Sequence, residues 1–158
     1  MTAAASGKST RTTRLIKAPP EAVYAAFTDP AALVAWLPPG EMTGKIRDFA
    51  AGIGGGYRMS LFYPPNQNGS RGKTAAGEDR VTVRFLDLAP SRRIVEAVTF
   101  ESDDPALQGE MIVTVTFDAA GGGTEVVFLC ENLPPGIRPE DNEAGARLSL
   151  EQLARRFA

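Results

Sequence analysis

The first apolar residues that recur at helical spacing lie near the start of the chain. Val23 and Phe27 are four residues apart and therefore share one face of a helix. Leu33, Trp36 and Leu37 then repeat the spacing of three and four residues in a second segment. The pattern predicts two short helices, which need an apolar surface to pack on because helices of this length are marginal alone.

Prolines and an aspartate mark where these two helices begin and end. Pro20 suits the first turn of a helix, where its missing N–H has no partner to lose. Asp29 can cap the second helix and Pro30 can occupy its first position. Residues 38–40, Pro-Pro-Gly, stop it. A short first strand is predicted before the helices, at residues 11–17.

From residue 43 onward the apolar period changes to two, which is typical of strands. Val81, Val83 and Phe85 fall on one face of their segment, with polar residues between them. Similar segments follow one another through hairpins, so the pattern predicts an antiparallel meander with one buried face. The predicted strands of the meander lie at 43–49, 57–63, 80–88, 93–101, 110–118 and 124–132.

The last twenty residues return to helical spacing. Leu150, Leu153 and Phe157 follow Ala146 at intervals of four, three and four. Gly145 lies inside this helix although glycine costs about 1 kcal/mol there. The glycine either allows close backbone packing or leaves space for another molecule.

This order of elements predicts an α+β fold. A curved antiparallel sheet of about six or seven strands with one apolar face needs a cover, and the C-terminal helix is the element long enough to provide it. The two short helices after the first strand close one end of the trough, with Trp36 at the seam. We expect a disordered tail at residues 1–10 and a single domain at residues 11–158.

Composition removes several classes of function. The chain has 158 residues, a net charge of −2, one cysteine and no histidine. It therefore carries no broad cationic field for nucleic acid, no internal disulfide and no histidine-based catalytic pair or zinc site. No apolar run is long enough to span a membrane, and the N-terminus lacks the apolar stretch of a secretory signal. We expect a cytoplasmic protein without cofactor or metal.

Five segments, taken in order, resemble a known family. The resemblance is to bacterial proteins related to the C-terminal domain of the activator of Hsp90 ATPase, within the START-like (SRPBCC, Bet v 1-like) superfamily. It implies a helix-grip fold, in which a curved sheet wraps a long C-terminal helix and encloses a cavity. Superfamily members bind apolar molecules, cyclise polyketides or bind a chaperone. The segments are IKAPPEAVYAAFTDPAALVAWLPP, GGGYRM, FLDLAPSRRIVEAVTFE, GGGTEVVF and NEAGARLSLEQLA.

Aromatic and sulfur side chains of the strands and of the helix seam are the candidates for lining such a cavity. Methionine and aromatic rings adapt to apolar guests, although the same residues also fill ordinary cores. Both alternatives stay open at this point. The candidate ligand-binding residues of this type are Trp36, Tyr57, Met59, Tyr63, Phe85, Phe100 and Met111.

Two charged residues complete the candidate site. Glu96 interrupts an apolar strand segment, and it points inward only if Ile94 and Val98 do. An inward carboxylate must be paired or protonated, with Arg58, Arg80 or Arg147 as its possible partner; otherwise Glu96 is a surface residue. Arg147 either reaches over the cavity mouth or pairs with a neighbouring glutamate on the helix surface.

Three functions are compatible with these residues. The first is a binding protein that holds a small apolar or amphipathic molecule between the sheet and the C-terminal helix. The second is a cyclase- or hydrolase-type enzyme that uses Glu96, a tyrosine and water in the same cavity, and the third is a chaperone-interacting protein. No catalytic residue is assigned, and we expect a monomer or weak dimer that binds no nucleic acid.

Overall fold

The computed structural model describes residues 7–64 and 77–158, and it has the predicted α+β architecture. The strands and helices follow one another in the predicted order, with one additional turn of 3₁₀ helix at Pro105–Leu107. Their bounds are β1 Ser9–Ile16, α1 Pro20–Thr28, α2 Pro30–Trp36, β2 Thr43–Ala50, β3 Gly56–Phe62, β4 Glu78–Ala89, β5 Arg93–Phe100, β6 Met111–Ala120, β7 Gly123–Glu131 and α3 Pro139–Arg156.

All seven strands form one antiparallel sheet in the order β1-β7-β6-β5-β4-β3-β2. Strands β2 to β7 form a meander in chain order, and β7 also pairs with β1. The helix-grip prediction is therefore confirmed. Ser9 and Thr10, which were expected in a disordered tail at 1–10, belong to β1 and pair with Glu131 and Cys130; residues 1–6 lie outside the described part.

A glycine-rich turn joins β2 to β3 and brings the backbone of β4 very close. A Cβ atom added to Gly56, whose φ is +147°, would lie 1.9 Å from the carbonyl oxygen of Val83. A Cβ atom on Gly55 would lie 2.2 Å from the carbonyl oxygen of Ala50. Only glycine fits at these two positions, because any side chain would collide with backbone atoms.

The two short helices pack on each other through the only tryptophan of the chain. The Asp29 carboxylate accepts a hydrogen bond of 3.1 Å from the N–H of Ala31, which caps α2 as predicted. The Trp36 indole donates to the carbonyl of Ala26 at 2.9 Å, and its ring meets that of Phe27 edge to face at a centroid distance of 4.7 Å. Trp36 is therefore a buried link between α1 and α2.

Helix α3 holds this pair of helices in place through two polar side chains. The Ser149 hydroxyl donates to the carbonyl of Leu37 at 2.6 Å. The Gln152 amide donates to the carbonyls of Trp36 and Pro38, both at 2.7 Å. These carbonyls belong to the end of α2, where the last residues of a helix have no partner within the helix. None of the helices in the described ranges is long and apolar enough to cross a membrane.

The Gln152 contacts generate a stability prediction. Replacement of Gln152 by Ala leaves two partly buried carbonyl acceptors without their donor, so we expect the free energy of unfolding to fall by about 1–3 kcal/mol. Urea denaturation monitored by Trp36 fluorescence measures this. The exposed Arg155→Ala on the same helix is the control and should change stability by less than about 0.5 kcal/mol. Equal stabilities of the two variants would contradict the docking role of Gln152.

Candidate functional site

A cavity of about 260 Å³ lies between the inner face of the sheet and the three helices. Strands β3 to β7 form its floor, α3 forms its roof, and α1 and α2 close one end. Most of the side chains around it are apolar. Its lining comprises Phe27, Leu33, Trp36, Leu37, Pro39, Tyr57, Met59, Leu61, Asp79, Val81, Val83, Glu96, Val98, Phe100, Met111, Val113, Phe128, Cys130, Ile137, Asp141, Asn142, Gly145, Ala146 and Ser149.

Six of the nine side chains proposed from the sequence lie in this lining. They come from four different elements, which the fold brings to one space: Trp36 from α2, Tyr57 and Met59 from β3, Glu96 and Phe100 from β5, and Met111 from β6.

The other three proposed residues lie elsewhere. Tyr63 follows the end of β3 and is absent from the lining, although its hydroxyl donates at 2.9 Å to the lining residue Asp79. Phe85 is buried in the filled part of the core, where its ring packs against Phe49 and Tyr57. Arg147 lies on the outer face of α3 with 56% of its side chain exposed. The preceding residue, Ala146, lines the cavity instead.

Glu96 points inward, which decides the alternative that the sequence left open. Ile94 and Val98 are buried on the same face of β5, and Glu96 is only 9% exposed. In the sheet register it lies between Phe85 of β4 and Val113 of β6. The carboxyl group therefore stands on the floor of the cavity and is surrounded by apolar side chains.

None of the three arginines considered as partners reaches Glu96. Arg58, Arg80 and Arg147 all lie on outer faces, where each is already paired with another carboxylate. In the described part of the chain no hydrogen bond or ion pair is formed by the Glu96 side chain. The outer pairs are Arg58–Glu101 at 3.1 Å, Arg80–Glu78 at 2.9 Å and Arg147–Glu143 at 3.9 Å.

Burial alters the acidity of three side chains in the cavity. Removal from water raises the pKa of Glu96 from 4.5 to about 7. The pKa of Tyr57 is raised well above its usual value by burial and then by the charge of Glu96. Burial also raises the pKa of the Cys130 thiol to about 11, so the thiol stays protonated and weakly nucleophilic near neutral pH.

Several polar residues of the lining were not predicted from the sequence. Asp79, the second residue of β4, is 2% exposed and follows the same alternation as Val81, so its inward direction could have been inferred from the strand pattern. Asn142 accepts a hydrogen bond from the Thr10 hydroxyl and donates to the sulfur of Met111 at 3.9 Å. Nothing in the sequence pattern indicated these cross-element contacts.

Gly145 leaves space at the roof of the cavity. A Cβ atom added there would meet no atom outside its own helix within 4 Å. The glycine therefore does not serve close packing, and of the two explanations derived from the sequence the space for another molecule is the one the geometry favours. Across residues 7–64 and 77–158, no group of three potential ligands among His, Cys, Asp and Glu is placed to hold a metal ion.

The raised pKa of Glu96 predicts how stability depends on pH. Between about pH 4.5 and pH 7 the unfolded chain has lost the Glu96 proton while the folded protein keeps it, so this group makes stability fall as pH rises through that window. The full effect is about 3 kcal/mol. Glu96→Gln lacks this contribution. Urea denaturation at pH 5 and pH 8 should therefore show that the free energy of unfolding of the variant, relative to that of the parent protein, is higher at pH 8 than at pH 5 by about that amount.

The exposed Glu125→Gln is the matched control and should follow the parent protein at both pH values. Parallel pH profiles of Glu96→Gln and the parent protein would show that Glu96 is solvated or paired in solution.

Comparison with known proteins agrees with this geometry. The family described as Activator of Hsp90 ATPase homolog 1-like protein matches residues 17–158. Among solved structures, protein CV1439 from Chromobacterium violaceum is 34% identical, with a TM-score of 0.82 over 94% of this chain and 96% of its own. The comparison with curated proteins found no match.

Two more distant structures share the fold. A protein from Rhodobacter sphaeroides is 22% identical, with a TM-score of 0.76 over 96% of this chain and 93% of its own. DynU16, from the dynemicin biosynthetic locus, is 20% identical, with a TM-score of 0.65 over 93% of this chain and 46% of its own. The family match and the relative at 34% identity show that the chain belongs to the Activator of Hsp90 ATPase homolog 1-like family, within the START-like superfamily that its sequence resembles.

Proposed function

We propose that the protein binds a small apolar or amphipathic molecule in the cavity between the sheet and α3. The observation that carries this proposal is the cavity itself, which is about 260 Å³ in volume and lined mostly by apolar side chains with a few buried polar groups. Apolar walls with a small number of polar anchors are the usual composition of sites for small ligands. Membership of a family within a ligand-binding superfamily supports the same conclusion.

The volume of the cavity limits the size of the ligand. An engineered apolar cavity of about 150 Å³ accepts benzene. On that scale a cavity of about 260 Å³ suits a body of roughly ten non-hydrogen atoms. We therefore expect a one- or two-ring aromatic molecule, or a chain of similar volume, and not a fully enclosed sterol.

A cyclase- or hydrolase-type activity is the second candidate. Glu96 favours it, because a buried carboxyl group whose pKa is about 7 is suited to general base catalysis near neutral pH. Tyr57, also in the lining, offers a hydroxyl. The similarity to DynU16 is evidence for the shared fold alone and not for a shared activity.

An assay of product formation from small aromatic polyketides tests this candidate. We expect an enzyme to lose at least about a hundredfold in rate on Glu96→Gln, with activity rising through pH 7 as the base ionises. Absence of turnover for molecules that bind in the cavity would leave binding as the function.

The chaperone interaction is less well supported. That function predicts a filled core and an extended exposed apolar surface. The large exposed apolar side chains in the described part of the chain belong to separate elements, namely Leu15, Ile53, Phe62, Leu86 and Leu148. A cytoplasmic location and a monomeric or weakly dimeric state remain predictions.

Gly145 provides a direct test of binding in the cavity. Gly145→Leu would place a side chain in the open space of the roof, so we expect it to weaken ligand binding at least about tenfold. The same change should raise stability by about 1 kcal/mol, because leucine is a better helix former than glycine and buries apolar surface. A thermal-shift screen of aromatic alcohols, medium-chain alcohols, flavonoids, sterols and fatty acids, read alongside Trp36 emission, identifies the molecules to use.

Ala144→Leu is the matched control, since Ala144 is exposed on the same helix. It should leave both the affinity and the Trp36 response unchanged. Ligands that stabilise Gly145→Leu as strongly as the parent protein would place their binding site outside this cavity.

A further inference from the structure

We propose that the ligand is an amphipathic organic cation, with an apolar body in the cavity and one ammonium group paired with the carboxylate of Glu96. This inference rests on the proposed binding function and adds the chemical class of the ligand. It excludes anionic ligands such as fatty acids from the same position.

The charges around the cavity all have one sign. Among its described lining residues are three acids and no lysine, arginine or histidine. Asp79 is bound by the Tyr63 hydroxyl, and Asp141 lies at the exposed rim, 3.9 Å from Arg138. Because like charges repel, a ligand that brings a further negative charge into this space is disfavoured.

Glu96 differs from the other two acids because the described residues supply no partner for it. It is nine-tenths buried and lies on the cavity floor, between Phe85 of β4 and Val113 of β6. A buried carboxylate without a partner is costly, and natural proteins usually provide a cation or several donors for such a group. A cationic ligand would supply both the charge and the hydrogen-bond donors.

The aromatic rings of the lining also suit a cation. Phe27, Trp36 and Tyr57 all line the cavity that holds Glu96, and Tyr57 lies close enough to Glu96 for its pKa to respond to that charge. Ring faces attract organic ammonium groups, most strongly where water is excluded. The hydroxyl of Tyr57 forms no hydrogen bond within the described residues and can meet a polar atom of the ligand.

The energetic balance favours an ammonium over a neutral hydroxyl. Desolvation of Glu96 is already included in the free energy of folding, so a ligand bears only the desolvation of its own head group. A hydrogen bond between two charged groups is about twice as strong as one between neutral groups. Burial raises the pKa of Glu96 to about 7. An adjacent cation lowers the pKa of a carboxyl group, so a ligand ammonium holds Glu96 ionised.

Four other ionisable groups face the cavity with Glu96. Tyr57 and Cys130 have raised pKa values and stay neutral at pH 8, while Asp79 and Asp141 are acids like Glu96 itself. Burial places the pKa of Glu96 at about 7, so the charge of this carboxyl group changes between pH 6 and pH 8.

The test compares three probes that share one skeleton. Phenylpropylamine, phenylpropanol and phenylpropanoate each carry the head group at the end of the chain, and they present a cation, a neutral donor and an anion on a body of about ten non-hydrogen atoms. Calorimetric titration of the parent protein at pH 8, with Trp36 emission recorded in parallel, gives the three dissociation constants. Glu96→Gln and the exposed Glu125→Gln are titrated in the same way.

We expect the amine to bind at least about tenfold more tightly than the alcohol, and the alcohol more tightly than the acid. Glu96→Gln should remove the preference for the amine while alcohol binding persists, and Glu125→Gln should keep it. Amine affinity of the parent protein should fall at least about threefold from pH 8 to pH 6 as Glu96 takes up a proton, while alcohol affinity stays constant.

The outcomes separate this inference from the binding function on which it rests. Binding of the alcohol without a preference for the amine contradicts the cationic class alone. An amine preference that survives in folded Glu96→Gln also contradicts it, because another group would then hold the cation. Failure of all three probes, and of every molecule in the thermal-shift screen, contradicts the binding function itself. The comparison in the parent protein stands even if Glu96→Gln does not fold.

Discussion

The inner face of the sheet is much wider than the one long helix that packs on it, and the other features of the molecule follow from that mismatch. Seven strands spaced about 4.8 Å apart extend over roughly 29 Å, whereas one helix with its side chains is about 10 Å across. Helix α3 packs mainly on β1, while α2 packs on β2 and α1 on β6 and β7. Apolar side chains in the middle of the sheet are left facing a space between the helices.

Ser149 and Gln152 on α3 therefore affect the cavity through the position of α2. They hold the carbonyls at the end of α2, and α2 carries Trp36 to the edge of the space. The volume of the cavity is thus set by where the helix pair is fixed, and by the missing side chain at Gly145. A larger residue there would occupy part of this space, and a Cβ atom added at Gly145 meets no neighbouring atom within 4 Å.

Much of the fold was predictable from the sequence because it depends on local chemistry. The prolines and Asp29 define the helix starts, and strict alternation in β4 identifies its buried face. The inward position of Glu96 was not predictable, because both faces of β5 carry apolar residues and its alternation is therefore ambiguous. A bulge between Phe85 and Asp87 also shifts the pairing of β4 with β5, and the sequence pattern does not reveal it.

The positions of two of the three proposed residues outside the lining, Tyr63 and Phe85, have a related cause. Tyr63 has the correct alternation but lies just beyond the strand, where an acid binds its hydroxyl. Phe85 has the correct face but lies at the filled end of the trough, because Phe49 and Tyr57 pack around it. Alternation gives the direction of a side chain, whereas the extent of a cavity along a strand depends on which helix lies above it.

The unpaired position of Glu96 in an apolar cavity is tested by the titration of its own carboxyl group. Carbon NMR of the Glu96 side-chain carboxyl group, followed from pH 4 to pH 9 and assigned by its loss in Glu96→Gln, reports the pKa in the folded protein. We expect a midpoint of about 7. A midpoint near the ordinary value of 4.5 would show instead that water or a cation already satisfies this carboxylate, so that Glu96 is not unpaired.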